Sequence, residues 1–191
     1  MRYASSEMST QKPFLSDVAE LRRRARENMM RGSVTYDYKG DIKQAGAVLN
    51  AALATELVCV LRYKRHYFMA KGIAKDAVAG EFLQHANEEQ GHADMIAERI
   101  TQLGGEPDFN PEGLATRSHS EYKEGNNLVD MIEENLVAER VAIESYREMI
   151  RFFGDNDPTT RRMLEQILAV EEEHANDMVD LLEQHGPGGK S

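Results

Sequence analysis

The segment HANEEQGHADMIAERI, residues 85–100, reads as uninterrupted helix, yet the stripe that carries its isoleucines also carries a glutamate and a histidine. At about 100° per residue, Phe82, His92, Ile96 and Leu103 fall within about 60° of Glu89, whereas Asp94 and Glu98 fall on the opposite side. Glu89 and His92 therefore occupy the core face of their helix, where an ionised carboxylate has to be compensated.

The same arrangement recurs further along the chain. Glu171-x-x-His174 repeats Glu89-x-x-His92, and its stripe contains Leu164, Met178 and Leu182. The stretches LATELVCVLRY and LVAERVAIESY form a second repeat, which pairs Glu56 with Glu139 and Tyr63 with Tyr146. Glu56 precedes Glu89 by 33 residues and Glu139 precedes Glu171 by 32, so two hairpins of equal length bring their motifs to similar height. Glu56 shares a stripe with Leu49, Val60 and Tyr63, and Glu139 with Ile132, Ile143 and Ile150. Four glutamates and two histidines thus converge inside one bundle.

The surrounding chain fits this arrangement. Its 191 residues carry 29% charged side chains, 7% aromatic and no tryptophan, and strand-like blocks of Val, Ile and Thr are hard to find, so the fold class is all-α. Helices are expected at about 41–71, 75–103, 128–153 and 158–184, ended by Gly72, Gly104-Gly105, Gly154 and the HGPGGKS tail. Short, long and short connections describe two antiparallel hairpins joined by a crossover. An additional helix over LSDVAELRRRARENMMRG is expected to be capped by Ser16 or Asp17 and ended by Gly32. The expected organisation is a basic arm with a short helix at 1–40, a four-helix bundle at 41–185 and a flexible tail at 186–191. Residues 1–31 hold seven Lys or Arg against four Asp or Glu, while the whole chain has a net charge of −10, so the body is acidic and suited to attracting cations. One cysteine, Cys59, excludes an internal disulfide and a four-cysteine metal site, and reads as a small buried residue. The N-terminal segment lacks a basic start followed by an apolar run, and no segment is expected to approach the length of a membrane span; a soluble cytoplasmic protein is the expectation.

Two divalent cations would cancel four negative charges outright, and two neutral imidazoles would add a nitrogen donor to each. Mixed carboxylate and imidazole donors suit Fe or Mn better than Ca or Mg, which prefer oxygen alone, and better than structural Zn.

A glutamate from each of two helices, with Glu-x-x-His from each of the other two, resembles the ferritin-like di-iron carboxylate bundles. The resemblance covers about residues 41–185, and the ATEL…RY and EEQGHAD context is most similar to bacterioferritin. It implies Glu56 and Glu139 as terminal ligands, Glu89 and Glu171 as bridges, and His92 and His174 as one nitrogen ligand each, holding two Fe ions per subunit with Mn or Zn as substitutes. It further implies a ferroxidase that oxidises Fe(II) with O2 or H2O2 and stores Fe(III) inside a hollow homo-oligomeric shell. The sequence departs from that pattern at three places. Gln90 stands where bacterioferritins have the haem-ligating methionine, so no haem is expected. Glu88 and Val170 stand where an aspartate commonly orients the histidine of the opposite helix. The tail is too short for the fifth helix of 24-subunit shells, which favours twelve subunits. HADMIAERITQLGG also resembles the starvation-protection (Dps) ferritins, in which residues matching Asp94, Glu98 and His66 bind iron between subunits; Ala79 and Leu83 leave that site incomplete.

The sequence also allows a small di-metal peroxidase or catalase related to rubrerythrin, and a DNA-protecting protein. Arg22, Arg23, Arg24, Arg26 and Arg31 could contact phosphates, but Glu20 and Glu27 are interleaved among them, and docking on acidic neighbours is the preferred reading. Tyr63 and Tyr146 are expected beside the site, packing there, passing electrons or bonding a ligand. His66, apart from its likeness to the intersubunit site, and His85, His119 and His185 receive no assignment.

Overall fold

The computed structural model describes residues 17–27, 29, 32–72 and 75–186. They belong to two compact units that divide between Asp37 and Tyr38. Six helices and no strand are present among the described residues, as the all-α reading requires.

In the first unit, α1 spans Val18–Glu27. The Asp17 carboxylate accepts hydrogen bonds from the backbone amides of Ala19 (2.7 Å) and Glu20 (3.4 Å), which makes it the cap; Ser16, the other candidate, lies outside the described residues. The helix stops short of the expected Gly32, which adopts a positive φ of 65°. Arg23 binds Glu20 at 2.8 Å and Glu27 at 2.6 Å, and Arg24 binds Glu20 at 2.7 Å. Spacings of three and four residues place these charges side by side on one helical face. Both arginines, expected to face phosphates or acidic neighbours, are therefore engaged by glutamates of their own helix. Arg31 lies outside the described residues.

The second unit holds α2 (Ile42–Met69), α3 (Lys75–Gln102), α4 (Leu114–Arg117), α5 (Leu128–Phe153) and α6 (Pro158–His185). The caps explain the boundaries: the side chains of Asp41, Asn127 and Asp157 accept from the amides of Gln44, Asp130 and Thr160. At the end of α3, Gly104 (φ 79°) lets the chain reverse while the amide of Gly105 returns to the Ile100 carbonyl. Helices α2 and α3 form one hairpin and α5 and α6 the other; α2 packs on α5 and α3 on α6. The short α4, unexpected from the sequence, lies in the crossover against α2.

Two apolar clusters fill the bundle. One contains Leu49, Leu53, Ile96, Ile100, Phe153, Leu164 and Ile167; the other contains Tyr63, Phe82, Ile132 and Met178. Along each helix the motif glutamate falls between the two clusters, so a polar layer is clamped by apolar packing on both sides. By length and composition alone α2 is apolar enough to cross a membrane, contrary to the expectation that no segment comes near this. It nevertheless buries Glu56, Arg62 and His66 against its neighbours, as a core helix does.

Asp157 ties several elements together. Besides capping α6 it accepts from Arg99 of α3 (2.9 Å), the Thr160 hydroxyl (2.6 Å) and the Tyr38 hydroxyl (3.0 Å). Burial alone would raise its carboxyl, but the bonds from Thr160 and the charge of Arg99 outweigh it and hold the group below its ordinary 3.8. Such a carboxylate stabilises the fold above its unfolded value, and the contribution is lost as pH falls through the lower folded value. Asp157→Ala should cost about 3 kcal/mol, read from the denaturant midpoint at pH 7. The gap between variant and wild type should narrow as the pH is taken below about 3.8.

Candidate metal centre

The four bundle helices bring all six candidate residues, Glu56, Glu89, His92, Glu139, Glu171 and His174, into one buried cluster in which none is more than 5% exposed. Their donor atoms form two groups: Glu56, Glu89, His92 and Glu171 in one, and Glu89, Glu139, Glu171 and His174 in the other. Within each group the atoms lie no more than 4.8 Å apart. Glu89 and Glu171 belong to both groups, the arrangement two adjacent cations would share.

Both imidazoles turn Nδ1 toward the carboxylates. His92 Nδ1 lies 3.4 Å from Glu56, 3.3 Å from Glu89 and 2.8 Å from Glu171. His174 Nδ1 lies 3.7 Å from Glu89 and 3.8 Å from Glu171. A residual deficit remains: Glu56 Oε2, Glu89 Oε1, Glu139 Oε2, both oxygens of Glu171 and His174 Nδ1 are buried without a hydrogen-bond partner. The short approach of His92 to Glu171 thus lacks hydrogen-bond alignment. A set of inward-facing acceptors with too few protons fits cations of the Fe or Mn type, by donor chemistry and by number.

Protonation behaviour reflects the same deficit. Burial, then the charge of Glu89, pushes Glu56 up to about 8, and burial raises Glu139 and Glu171 as well. Burial works against charge on His92, yet the glutamates around it, Glu171 first, push it up to about 12. Burial likewise opposes charge on His174, which the glutamates led by Glu89 raise to about 9. Glu89 is held low despite its burial, because the two imidazoles beside it, His174 first and then His92, favour its charged form. Without cations the layer thus balances itself with protons, which metal ions would displace.

The supporting contacts refine the expectations. Tyr63 donates to Glu139, and Tyr146 donates to Glu56. Each tyrosine bonds a candidate ligand on the opposite hairpin, because seven residues along its own helix rise about 10 Å, beyond a hydroxyl's reach, whereas the antiparallel neighbour presents its glutamate at the same height. Glu88 accepts from His174 Nε2 at 2.8 Å, the contact an aspartate was expected to make, whereas Val170 offers His92 no equivalent. His85, given no role from sequence, is fully buried and stacks on His174 with centroids 3.9 Å apart. Its position four residues before Glu89 put it on the same stripe, and that spacing could have revealed it.

The intersubunit residues suggested by the second resemblance do not come together within the chain. Asp94 and Glu98 are exposed, bonded to Gln90 and Gln102. His66 is buried, its ring bonded to Asn135 and the Lys123 carbonyl. His66 therefore belongs to the interior that anchors the crossover.

Comparison with known proteins places the fold. The family model described as "Ferritin-like domain" matches residues 46–185. A bacterioferritin of Rhodobacter capsulatus is 29% identical over 157 residues, which cover 79% of this chain and 91% of that protein. A nutrient stress-induced DNA-binding protein of Synechococcus sp. is 31% identical over 132 residues, covering 66% of this chain and 74% of that one. Among solved structures, the dodecameric thioferritin of Bacteroides fragilis, a bacterioferritin-related protein, superposes with a TM-score of 0.74 at 35% identity, covering 76% of this chain and 88% of that one. A family match over most of the bundle, on helices that carry the paired glutamate and histidine motifs, establishes that this chain belongs to the ferritin-like family.

Proposed function

We propose that this protein is a cytoplasmic ferroxidase that detoxifies and stores iron, with residues 41–185 as its catalytic bundle. The observation that supports it best is the pair of four-residue donor groups sharing Glu89 and Glu171, with five of their buried oxygens left unpaired. Fe(II) is the substrate. In each cycle two Fe(II) ions give up one electron apiece, and either O2 takes the two electrons with two protons to become H2O2, or H2O2 takes them with two protons to become two waters. The resulting Fe(III) is stored inside the shell.

The chain's own residues would divide this work. Glu56 and Glu139 each hold one ion from the outside, oriented by Tyr146 and Tyr63. Glu89 and Glu171, common to both donor groups, would be shared by the two ions, and His92 and His174 would supply one nitrogen each through Nδ1. Glu88 fixes the tautomer of His174 by taking the proton of Nε2, which leaves Nδ1 free for an ion. Val170 gives His92 no such partner, so the two positions differ in affinity. Gln90 leaves no methionine for a haem. The dodecameric assembly of the B. fragilis relative favours a shell of twelve subunits.

Two other readings are tested alongside. The name of the Synechococcus relative points to DNA binding, but the ion pairs of Arg23 and Arg24 within α1 and the net charge of −10 favour the storage reading. A di-metal peroxidase or catalase would function as a small oligomer.

Glu89→Ala should slow Fe(II) oxidation by about 100-fold or more in stopped-flow absorbance while the helical circular dichroism stays unchanged; a variant that still oxidises iron at the wild-type rate would move the chemistry elsewhere. Glu88→Gln should weaken binding at one of the two positions by about 10- to 100-fold, seen as a split anaerobic isotherm. On size exclusion a twelve-subunit shell of 21.6 kDa chains should elute at about 260 kDa, whereas a dimer-sized particle would favour the small redox enzyme.

A further inference from the structure

Next to the six-residue layer, α3 and α6 carry three donors that it does not use. His85 Nε2 faces Asp177 Oδ2 at 3.3 Å and Glu81 Oε1 at 3.6 Å, and the three donor atoms lie within 4.8 Å of one another. Spacing explains the meeting. Glu81 and His85 are four residues apart on α3, and Asp177 stands one turn beyond His174 on the antiparallel α6.

Hydrogen bonding determines what His85 presents to the two acids. Its Nδ1 lies 3.2 Å from the Tyr63 hydroxyl. That hydroxyl gives its one proton to Glu139, so its oxygen accepts, and the donor on the imidazole is Nδ1–H. In the neutral ring Nε2 then carries a lone pair. Three acceptors, one imidazole nitrogen and two carboxylate oxygens, converge with no proton between them. The His85 side chain is fully buried while those of Glu81 and Asp177 are about one-third exposed, at 34% and 33%. The cluster thus opens to solvent at its acidic end and is closed at its imidazole end.

We propose that Glu81, His85 and Asp177 form a third divalent-cation site beside the paired centre, sharing no ligand with it and displaced by one turn, about 6 Å, along α3. One nitrogen and two carboxylate oxygens suit Fe(II), Mn(II), Co(II) or Zn(II) rather than Ca or Mg, with water completing the shell on the open side. The Tyr63 hydroxyl touches both His85 and Glu139, so occupancy of this site bears directly on a glutamate of the paired centre. A holding position for Fe(II) between the surface and that centre is the role this gives it; the role rests on the ferroxidase reading, but the site does not.

The test is an anaerobic Co(II) titration of the intact assembly, comparing wild type with the double variant Glu81→Gln/Asp177→Asn. Both replacements keep side-chain shape at partly exposed positions and spare the paired centre. Wild type should bind three Co(II) per chain and the double variant two, and anomalous diffraction should place the extra ion against His85 Nε2. If the paired centre were misread, the counts would be one and zero, and the third site would stand alone. Equal counts in the two proteins would overturn the proposal and leave His85 as a buried imidazole hydrogen-bonded to the Tyr63 hydroxyl and Asp177.

Discussion

Four carboxylates packed into an interior from which water is excluded are the constraint on which the rest of this structure depends. Each ion taken out of water costs several kcal/mol unless something of opposite charge accompanies it. The protein does not avoid this cost; it repeats it on all four helices and clamps the polar layer between two apolar clusters. Protons balance the layer in part, through a histidine raised to about 12 and a glutamate raised to about 8. The unpaired oxygens that remain are what a pair of cations would satisfy. Stability of the bundle and affinity for metal are thus two expressions of one charge imbalance.

The internal repeat makes the layer nearly symmetric, and the departures from symmetry carry information. Tyrosine hydroxyls cross between hairpins to orient the glutamates of the opposite repeat, one in each direction. Around the histidines the symmetry fails: Glu88 supports His174, while Val170, at the matching place, supports nothing. His85 likewise stands on only one side, stacked on His174 and facing Glu81 and Asp177. The half of the site near His174 is therefore richer in polar groups than the half near His92.

Periodicity made much of this legible beforehand. Glu56, Glu89, Glu139 and Glu171 fall on apolar stripes, and a charged residue on such a stripe is informative because desolvation penalises it. Single residues outside a repeated motif were harder to read. His85 lies on the stripe of Glu89, yet its meaning depends on Asp177, 92 residues away on another helix. His66, given only a likeness to an intersubunit ligand, is an interior group, because only packing decides which face of α2 meets Asn135. The apolar richness of α2 was underestimated for a related reason: its Glu56 and Arg62 draw attention, although the helix as a whole is apolar enough to span a membrane.

What the sequence determined by itself is the helical register: which residues face inward, where Asp41, Asn127 and Asp157 start helices, and that two hairpins repeat one another. Those properties follow from local geometry, 3.6 residues per turn and the hydrogen bonds of caps. Only the tertiary structure decided which donors meet across helices: Tyr63 with Glu139 rather than Glu56, Glu88 with His174, and His85 with Asp177. The height of one helix against another is set by the packing of side chains between them, and no single helix contains that information.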